Sequence, residues 1–161
     1  MRCRHNEAAN LLYTSNTISI RHIQLISQMR TGPFASRASL ITSLHLSWTI
    51  SWPTTWIVYP PVHGSSSTSQ PHQQPTWLNA WQLLASFRGL KVLRVEFRNY
   101  YPPDGEADRR VRLLNELCCI RQTKLFDVRV PWDLKDSGFI IQDAPFTLVG
   151  SDGKVCEWSE N

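Results

Sequence analysis

The stretch LKVLRV, residues 90–95, has apolar side chains at its first, fourth and sixth positions. Leu93, Arg94 and Val95 alternate apolar, polar, apolar, which is typical of a β-strand with one buried face. The same pattern recurs in ITSLHL, residues 41–46, and in LFDVRV, residues 125–130. We therefore predict three related strands, and a shorter one at residues 17–20, TISI.

The segments between these strands have the spacing of amphipathic helices. One helix is predicted to bury Trp77, Trp81, Leu84 and Phe87, and another to bury Val111, Leu114, Leu117 and Cys118. Weaker helical patterns cover residues 7–13 and 23–29. Alternating helices and strands favour an α/β fold with parallel strands and crossover helices.

The chain of 161 residues is the size of one domain, and we predict a single domain over residues 1–161. Residues 63–75 are polar and rich in serine, glutamine and proline, which predicts a disordered internal loop. The three strand patterns begin 49 and 35 residues apart, and subtracting the 13-residue loop makes the two intervals almost equal. This predicts a partial leucine-rich-repeat-like stack with a mostly parallel sheet, although a doubly wound sheet would give similar alternation.

The end of the chain has a different pattern. Residues 146–149 and 154–158 flank the sequence Gly-Ser-Asp-Gly, and an Asp-Gly pair between two alternating runs indicates a β-hairpin. We expect this C-terminal hairpin to cap one end of the sheet.

The net charge of +4 is unevenly distributed. Residues 1–75 contain five arginines, no lysine and one acid, whereas the rest of the chain has twelve basic and twelve acidic residues. The excess is spread thinly, which argues against a compact nucleic-acid-binding patch. The arginines and serines of residues 1–40 also resemble a mitochondrial transit peptide, but an intracellular protein of the cytoplasm or nucleus is the preferred interpretation.

The search for chemistry finds no G-x-S-x-G, no P-loop, no dinucleotide-binding glycine motif and no zinc-like pairing of cysteine and histidine. The four cysteines form no C-x-x-C pair, and reduced thiols are expected. No apolar run is long enough to span a membrane. We expect neither enzymatic activity nor a cofactor or bound metal.

Aligning the three strand patterns places His45, Arg94 and Arg129 at equivalent positions. We predict that they form a row on the exposed face of the sheet, continued by Ser19, with Glu96 and Asp127 beside it. Such a face binds partners in many repeat proteins. The alternative is a solvated or helix-covered face held by internal ion pairs.

Two of the seven tryptophans, Trp52 and Trp56, lie in a proline-containing connection. Residues 47–61 contain no lysine or arginine, so these rings are not predicted to stack nucleic-acid bases along a phosphate-binding surface. They are the best candidates among the tryptophans for an exposed interaction surface.

The first 17 residues resemble a motif of filamentous fungi, in the group described as domain of unknown function 7730. The matching positions are Cys3, Arg4, Glu7, Ala8, Leu11, Leu12, Tyr13, Asn16 and Thr17. Many members of that group are similar to F-box-associated proteins with irregular leucine-rich strands, and the resemblance implies no catalytic residues. The Cys-Arg and Glu-Ala pairs are closer together here, and Met1 almost adjoins them, which suggests an N-terminally truncated chain.

The resulting hypothesis is a non-enzymatic protein–protein interaction module with an unknown protein partner. The alternative is weak nucleic-acid binding through the basic N-terminal half.

Overall fold

The structure is a computed structural model that describes residues 2–31, 35–49, 77–98, 107–134, 141 and 143–156. Its helices are α1 (Arg2–Ser15), α2 (Gln24–Thr31), a 3-10 helix (Ala35–Leu40), α3 (Trp77–Ala85) and α4 (Ala107–Leu117). Its strands are β1 (Thr17–Ile20), β2 (Ser43–Thr49), β3 (Val92–Arg98), β4 (Leu125–Arg129), β5 (Thr147–Val149) and β6 (Val155–Cys156).

The six strands form one sheet in the order β1-β2-β3-β4-β5-β6. Neighbours from β1 to β5 are parallel, and β6 is antiparallel to β5. This confirms the α/β class, the mostly parallel sheet and the C-terminal hairpin at its end. Because crossovers between parallel strands are right-handed, a sheet whose strands follow chain order carries its connecting helices on one face.

The predicted helix faces are buried against that sheet. Trp81, Leu84 and Leu114 have no exposed surface, and Phe87 is also buried. The side chain of Trp77 lies outside the described residues. The predicted apolar stripe is confirmed at Trp81, Leu84, Leu114 and Leu117, whereas Val111 and Cys118 are only half-buried.

The core is continuous from one end of the sheet to the other. It runs from Tyr13 of α1 and Ile20 of β1 to Leu148 of β5. In the middle, Leu44 of β2 and Leu93 of β3 are neighbours in the ladder and are fully buried. Each strand adds one residue in two to this core, as alternation requires.

A close approach of two backbones precedes β3. A Cβ atom added to Gly89 would overlap the carbonyl oxygen of Ser39 in the 3-10 helix. Beside this contact, the amides of Lys91 and Val92 both donate to the carbonyl of Thr42, at 2.8 and 3.0 Å. Gly89 thus allows the chain to enter β3 next to β2. The 3-10 helix itself was not predicted.

The hairpin turn between β5 and β6 uses glycine in a different way. Gly153 has a φ of 74°, a left-handed conformation that favours glycine. The amide of Gly150 donates to the carbonyl of Lys154 at 2.9 Å and closes the turn. This is the structure that the Asp-Gly sequence predicted.

The register of β4 corrects one prediction. Arg94 lies opposite His45, as predicted, but its partner in β4 is Asp127, and Arg129 lies opposite Glu96. The sequence alignment equated Val128 with Leu93, whereas Phe126 is the actual partner of Leu93. The predicted row is therefore wrong by two residues at β4. Arg129 nevertheless remains on the predicted face, because side chains alternate with a period of two.

The polar stretch at residues 63–75 lies outside the described residues, so its predicted disorder stays a prediction.

Candidate docking face

The sheet has a second face, opposite the helices, which we call the open face. Two rows of residues cross it. The first runs Ser19, His45, Arg94, Asp127, Thr147, and the second runs Ser47, Glu96, Arg129, Val149. Every described helix contributes side chains to the core on the other face. Ser19, Arg94, Arg129 and Thr147 are exposed on the open face, whereas Ser47 is buried and the other members of the two rows are half-buried. Parallel sheets are usually covered by helices on both faces, so a polar face that no described helix covers is unusual.

The first row contains an ion pair between neighbouring strands. Nε of Arg94 lies 3.6 Å from Oδ2 of Asp127, and their side chains are 62% and 35% exposed. A pair this exposed adds little to stability, because water and salt screen it. Its charges remain available to a partner.

The second row is centred on Glu96. Its carboxylate accepts a hydrogen bond from the guanidinium of Arg98 at 2.8 Å and lies 3.5 Å from Nε2 of His45. The hydrogen bond from Arg98 is the main reason why the pKa of Glu96 is lowered, and the charges of Arg98, His45 and Arg129 add to it. Glu96 is therefore a stable carboxylate at neutral pH.

Arg129 differs from the other two arginines of the open face. Arg94 and Arg98 each have a carboxylate partner, whereas the described residues place no carboxylate within 4.0 Å of Arg129. Its side chain is exposed. Among the described residues, the open face therefore holds three guanidinium groups and two carboxylates, and Arg129 is the arginine without a carboxylate within 4.0 Å.

The structure thus brings five of the predicted residues together on one face: His45, Arg94, Glu96, Asp127 and Arg129. Trp52 and Trp56 lie outside the described residues, so their predicted role remains untested. Sequence reasoning missed Arg98, which continues the alternation of Arg94 and Glu96 along β3. Extending the period-two pattern by one step would have found it.

The described cysteines are not among the residues of the two rows on the open face. Cys118, Cys119 and Cys156 are free thiols. Burial is the main cause that raises the pKa of each of them. A raised pKa keeps a thiol protonated, and the thiolate is the nucleophilic form. The described thiols are therefore poorly suited to nucleophilic chemistry.

Two further properties concern the described part of the chain. Its histidines, cysteines and acids form no group of three arranged to hold a metal ion. Among the helices that the structure describes, none has the length and apolar character needed to cross a membrane.

Comparison with known proteins gives one family. No curated protein and no solved structure matches the chain. Residues 1–149 match the family described as Domain of unknown function (DUF7730), which covers α1 through β5 and all the charged residues of the open face. The N-terminal motif had suggested the same family, and the chain belongs to it.

Proposed function

We propose that the protein is a non-enzymatic interaction module and that the open face binds a partner protein. The observation that carries the proposal is a face of a parallel sheet that no described helix covers and on which charges of both signs are held at fixed strand positions. Fixed charges of both signs give an interface register and specificity, because a wrong partner would bring like charges together. The partner expected is a protein surface with both acidic and basic side chains.

The electrostatics of the face support binding over catalysis. A general acid or base works best with a pKa near the operating pH. The pKa of Glu96 is lowered, which moves this carboxyl further from that condition. Glu96 is instead held in an ion pair with Arg98, and Nε2 of His45 lies 3.5 Å from its carboxylate.

The charge balance also supports a protein over a nucleic acid. A phosphate-tracking surface needs clustered cations without interleaved acids. Here each row places an acid directly beside an arginine: Asp127 lies opposite Arg94, and Glu96 lies opposite Arg129. Nucleic-acid binding through the basic N-terminal half is the outcome that would replace the proposal.

The same proposal includes three finer points. A sheet with its strands in chain order and helices on one face supports a leucine-rich-like stack. The N-terminal motif supports kinship with F-box-associated proteins, and the free thiols support an intracellular location.

Site-specific photo-crosslinking tests the proposal. Thr147→p-benzoylphenylalanine places the probe on the open face, and Gln82→p-benzoylphenylalanine places it on an exposed position of α3. In cells of the source organism, we expect a protein to crosslink from position 147 and not from position 82. That protein is then purified, and its dissociation constant is measured with the unmodified chain.

Charge reversal completes the test. Arg94→Glu should weaken binding of the purified partner by about tenfold or more, because it repels Asp127 and the partner's acids. Arg88→Glu, an exposed arginine in the connection before β3, should have little effect. Equal crosslinking from both positions, equal effects of the two reversals, or a crosslinked product removed by nuclease would overturn the proposal.

A further inference from the structure

A cleft lies where the carboxyl ends of β3, β4 and β5 meet. Its volume is about 540 Å³, within the range of about 300–1,000 Å³ typical of ligand sites. It is open to solvent at one border of the open face. The carboxyl ends of parallel strands are the usual place for ligands in α/β sheets.

The cleft has a mixed polar and apolar lining. Val149 and Pro131 are half-buried and expose the apolar atoms that we call its floor, whereas Val130 and Gly150 line the cleft but are themselves buried. A Cβ atom on Gly150 would lie 2.8 Å from Cγ of Leu134, so packing behind the floor favours glycine at this position. A small aliphatic group can pack against Val149 and Pro131.

The rim of the cleft is cationic. Arg98 and Arg129 line it together with Glu96. Glu96 already accepts the hydrogen bond of Arg98 at 2.8 Å. Arg129 is close enough to contribute to the lowered pKa of Glu96, yet it lies beyond the 4.0 Å of an ion pair. Its guanidinium is thus the one on the open face without a carboxylate within that distance among the described residues.

The hairpin turn between β5 and β6 offers a ligand one side-chain donor, the hydroxyl of Ser151. The backbone amides of Gly150 and Ser151 already donate hydrogen bonds to the carbonyls of Lys154 and Trp132, at 2.9 and 3.0 Å. The side chain of Ser151 is exposed at the cleft. A ligand would therefore meet a planar guanidinium with several N–H donors and a hydroxyl.

We propose that this cleft binds an acidic peptide segment, with an Asp or Glu carboxylate of the segment paired with Arg129. A planar guanidinium binds a carboxylate through two parallel hydrogen bonds, which gives both affinity and orientation. The apolar floor takes a neighbouring aliphatic side chain of the same segment. This inference rests on the proposed function, because it names the chemistry of the partner at one border of the open face.

Labelled peptides test the inference directly. The probe is a set of fluorescein-labelled heptapeptides with a central Asp, Glu, Asn, Gln or Lys and aliphatic or polar flanking residues. Fluorescence polarisation with the full chain should show tighter binding of the acidic peptides than of their amide counterparts, by about tenfold, and a further gain from aliphatic flanks.

Two matched variants assign the effect to the cleft. Arg129→Gln should remove the preference for a central carboxylate, whereas Arg88→Gln should retain it. Both variants should keep the wild-type circular dichroism spectrum and melting temperature. Equal binding of acidic and amide peptides, or a preference that survives Arg129→Gln, would overturn the inference.

The two proposals can fail separately. Suppose that a protein crosslinks from position 147 and binds in purified form while Arg129→Gln leaves its affinity unchanged. That result would support partner binding by the open face and contradict the binding of an acidic segment through Arg129. If acidic peptides bind through Arg129 but no protein crosslinks from the open face, the cleft is supported as a peptide-binding site and partner binding by the open face is contradicted.

Discussion

Two glutamates, Glu96 and Glu116, lie in opposite electrostatic surroundings. Glu96 is on the open face, where Arg98 donates to its carboxylate and lowers its pKa. Glu116 is on α4, where burial raises its pKa and Arg112 offsets the rise only in part. Its Oε2 atom is buried and has no hydrogen-bond partner among the described residues. One side chain is stabilised as an anion, and the other is penalised.

Glu116→Gln should therefore stabilise the protein at pH 7. Because the folded state raises the pKa of Glu116, the favourable contribution of this group exists at acid pH and is lost as the pH rises through the folded value. Glutamine has no charge to bury, so its advantage should be largest at pH 7. The advantage should fade below the ordinary glutamate pKa of about 4.3. Urea unfolding at several pH values measures it.

Glu96→Gln is the matched control, and it should lower stability at neutral pH where Glu116→Gln raises it. The pKa of Glu96 is lowered, so its contribution is present at neutral pH and lost as the pH falls through the folded value. The substitution should cost less than about 1 kcal/mol at pH 7, since the pair is exposed. Parallel pH profiles for the two variants would contradict both assignments.

At the scale of elements, the connections decide how the strands lie side by side. The entry to β3 depends on Gly89, whose missing side chain lets the chain pass the carbonyl of Ser39. The amides of Lys124 and Leu125 then donate to the carbonyl of Lys91, and repeat at β4 the arrangement found at β3. The amides at the start of β3 and of β4 thus donate to the carbonyl of the residue that immediately precedes the neighbouring strand, and these bonds position the new strand.

Gly89→Ala should destabilise the fold by about 1–3 kcal/mol, the range for a residue too large for its site. The obstacle is a backbone oxygen, which cannot move without shifting the 3-10 helix. Lys91→Ala, at an exposed position two residues later, should change stability by no more than about 0.5 kcal/mol. Urea unfolding compares the two, and equal effects would show that the close approach does not matter.

Comparison of the predicted and observed elements shows which structural features the sequence patterns can predict. Alternation identified β1 to β4, and apolar spacing identified α3 and α4, because both patterns follow directly from backbone geometry. The 3-10 helix was missed because six residues contain too little periodicity. The pairing of β4 was wrong by two residues because Leu125 and Phe126 are both apolar. Only the pairing shows that Phe126 is buried, while Leu125 is 41% exposed.

At the scale of the whole molecule, one core joins the two ends of the sheet. The buried cluster extends from Tyr13 to Leu148 without interruption. A continuous core of this kind unfolds in one cooperative step in most proteins of this size. We expect the single domain proposed from the length of the chain to unfold in this way.

Leu93→Ala should lower the free energy of this single unfolding transition by about 2–5 kcal/mol. Leu93 has no exposed surface and lies in the middle of the core, between Leu44 and Phe126 in the ladder. Leu11→Ala, at a leucine that is 63% exposed on α1, should cost about 0.5 kcal/mol or less. Urea unfolding followed by both fluorescence and circular dichroism measures the effects. Transitions that differ between the two probes would contradict a single cooperative unit.

The sequence by itself determined the alternation of helices and strands, the face of each strand and the position of the hairpin. These properties depend on residues close together in the chain, and an alternating strand has only two faces to choose from. Only the tertiary structure decided which residues lie opposite each other, that Arg98 pairs with Glu96, and that no carboxylate of the described residues lies within 4.0 Å of Arg129. Those facts depend on the register between neighbouring strands, which is set by connections such as the one at Gly89.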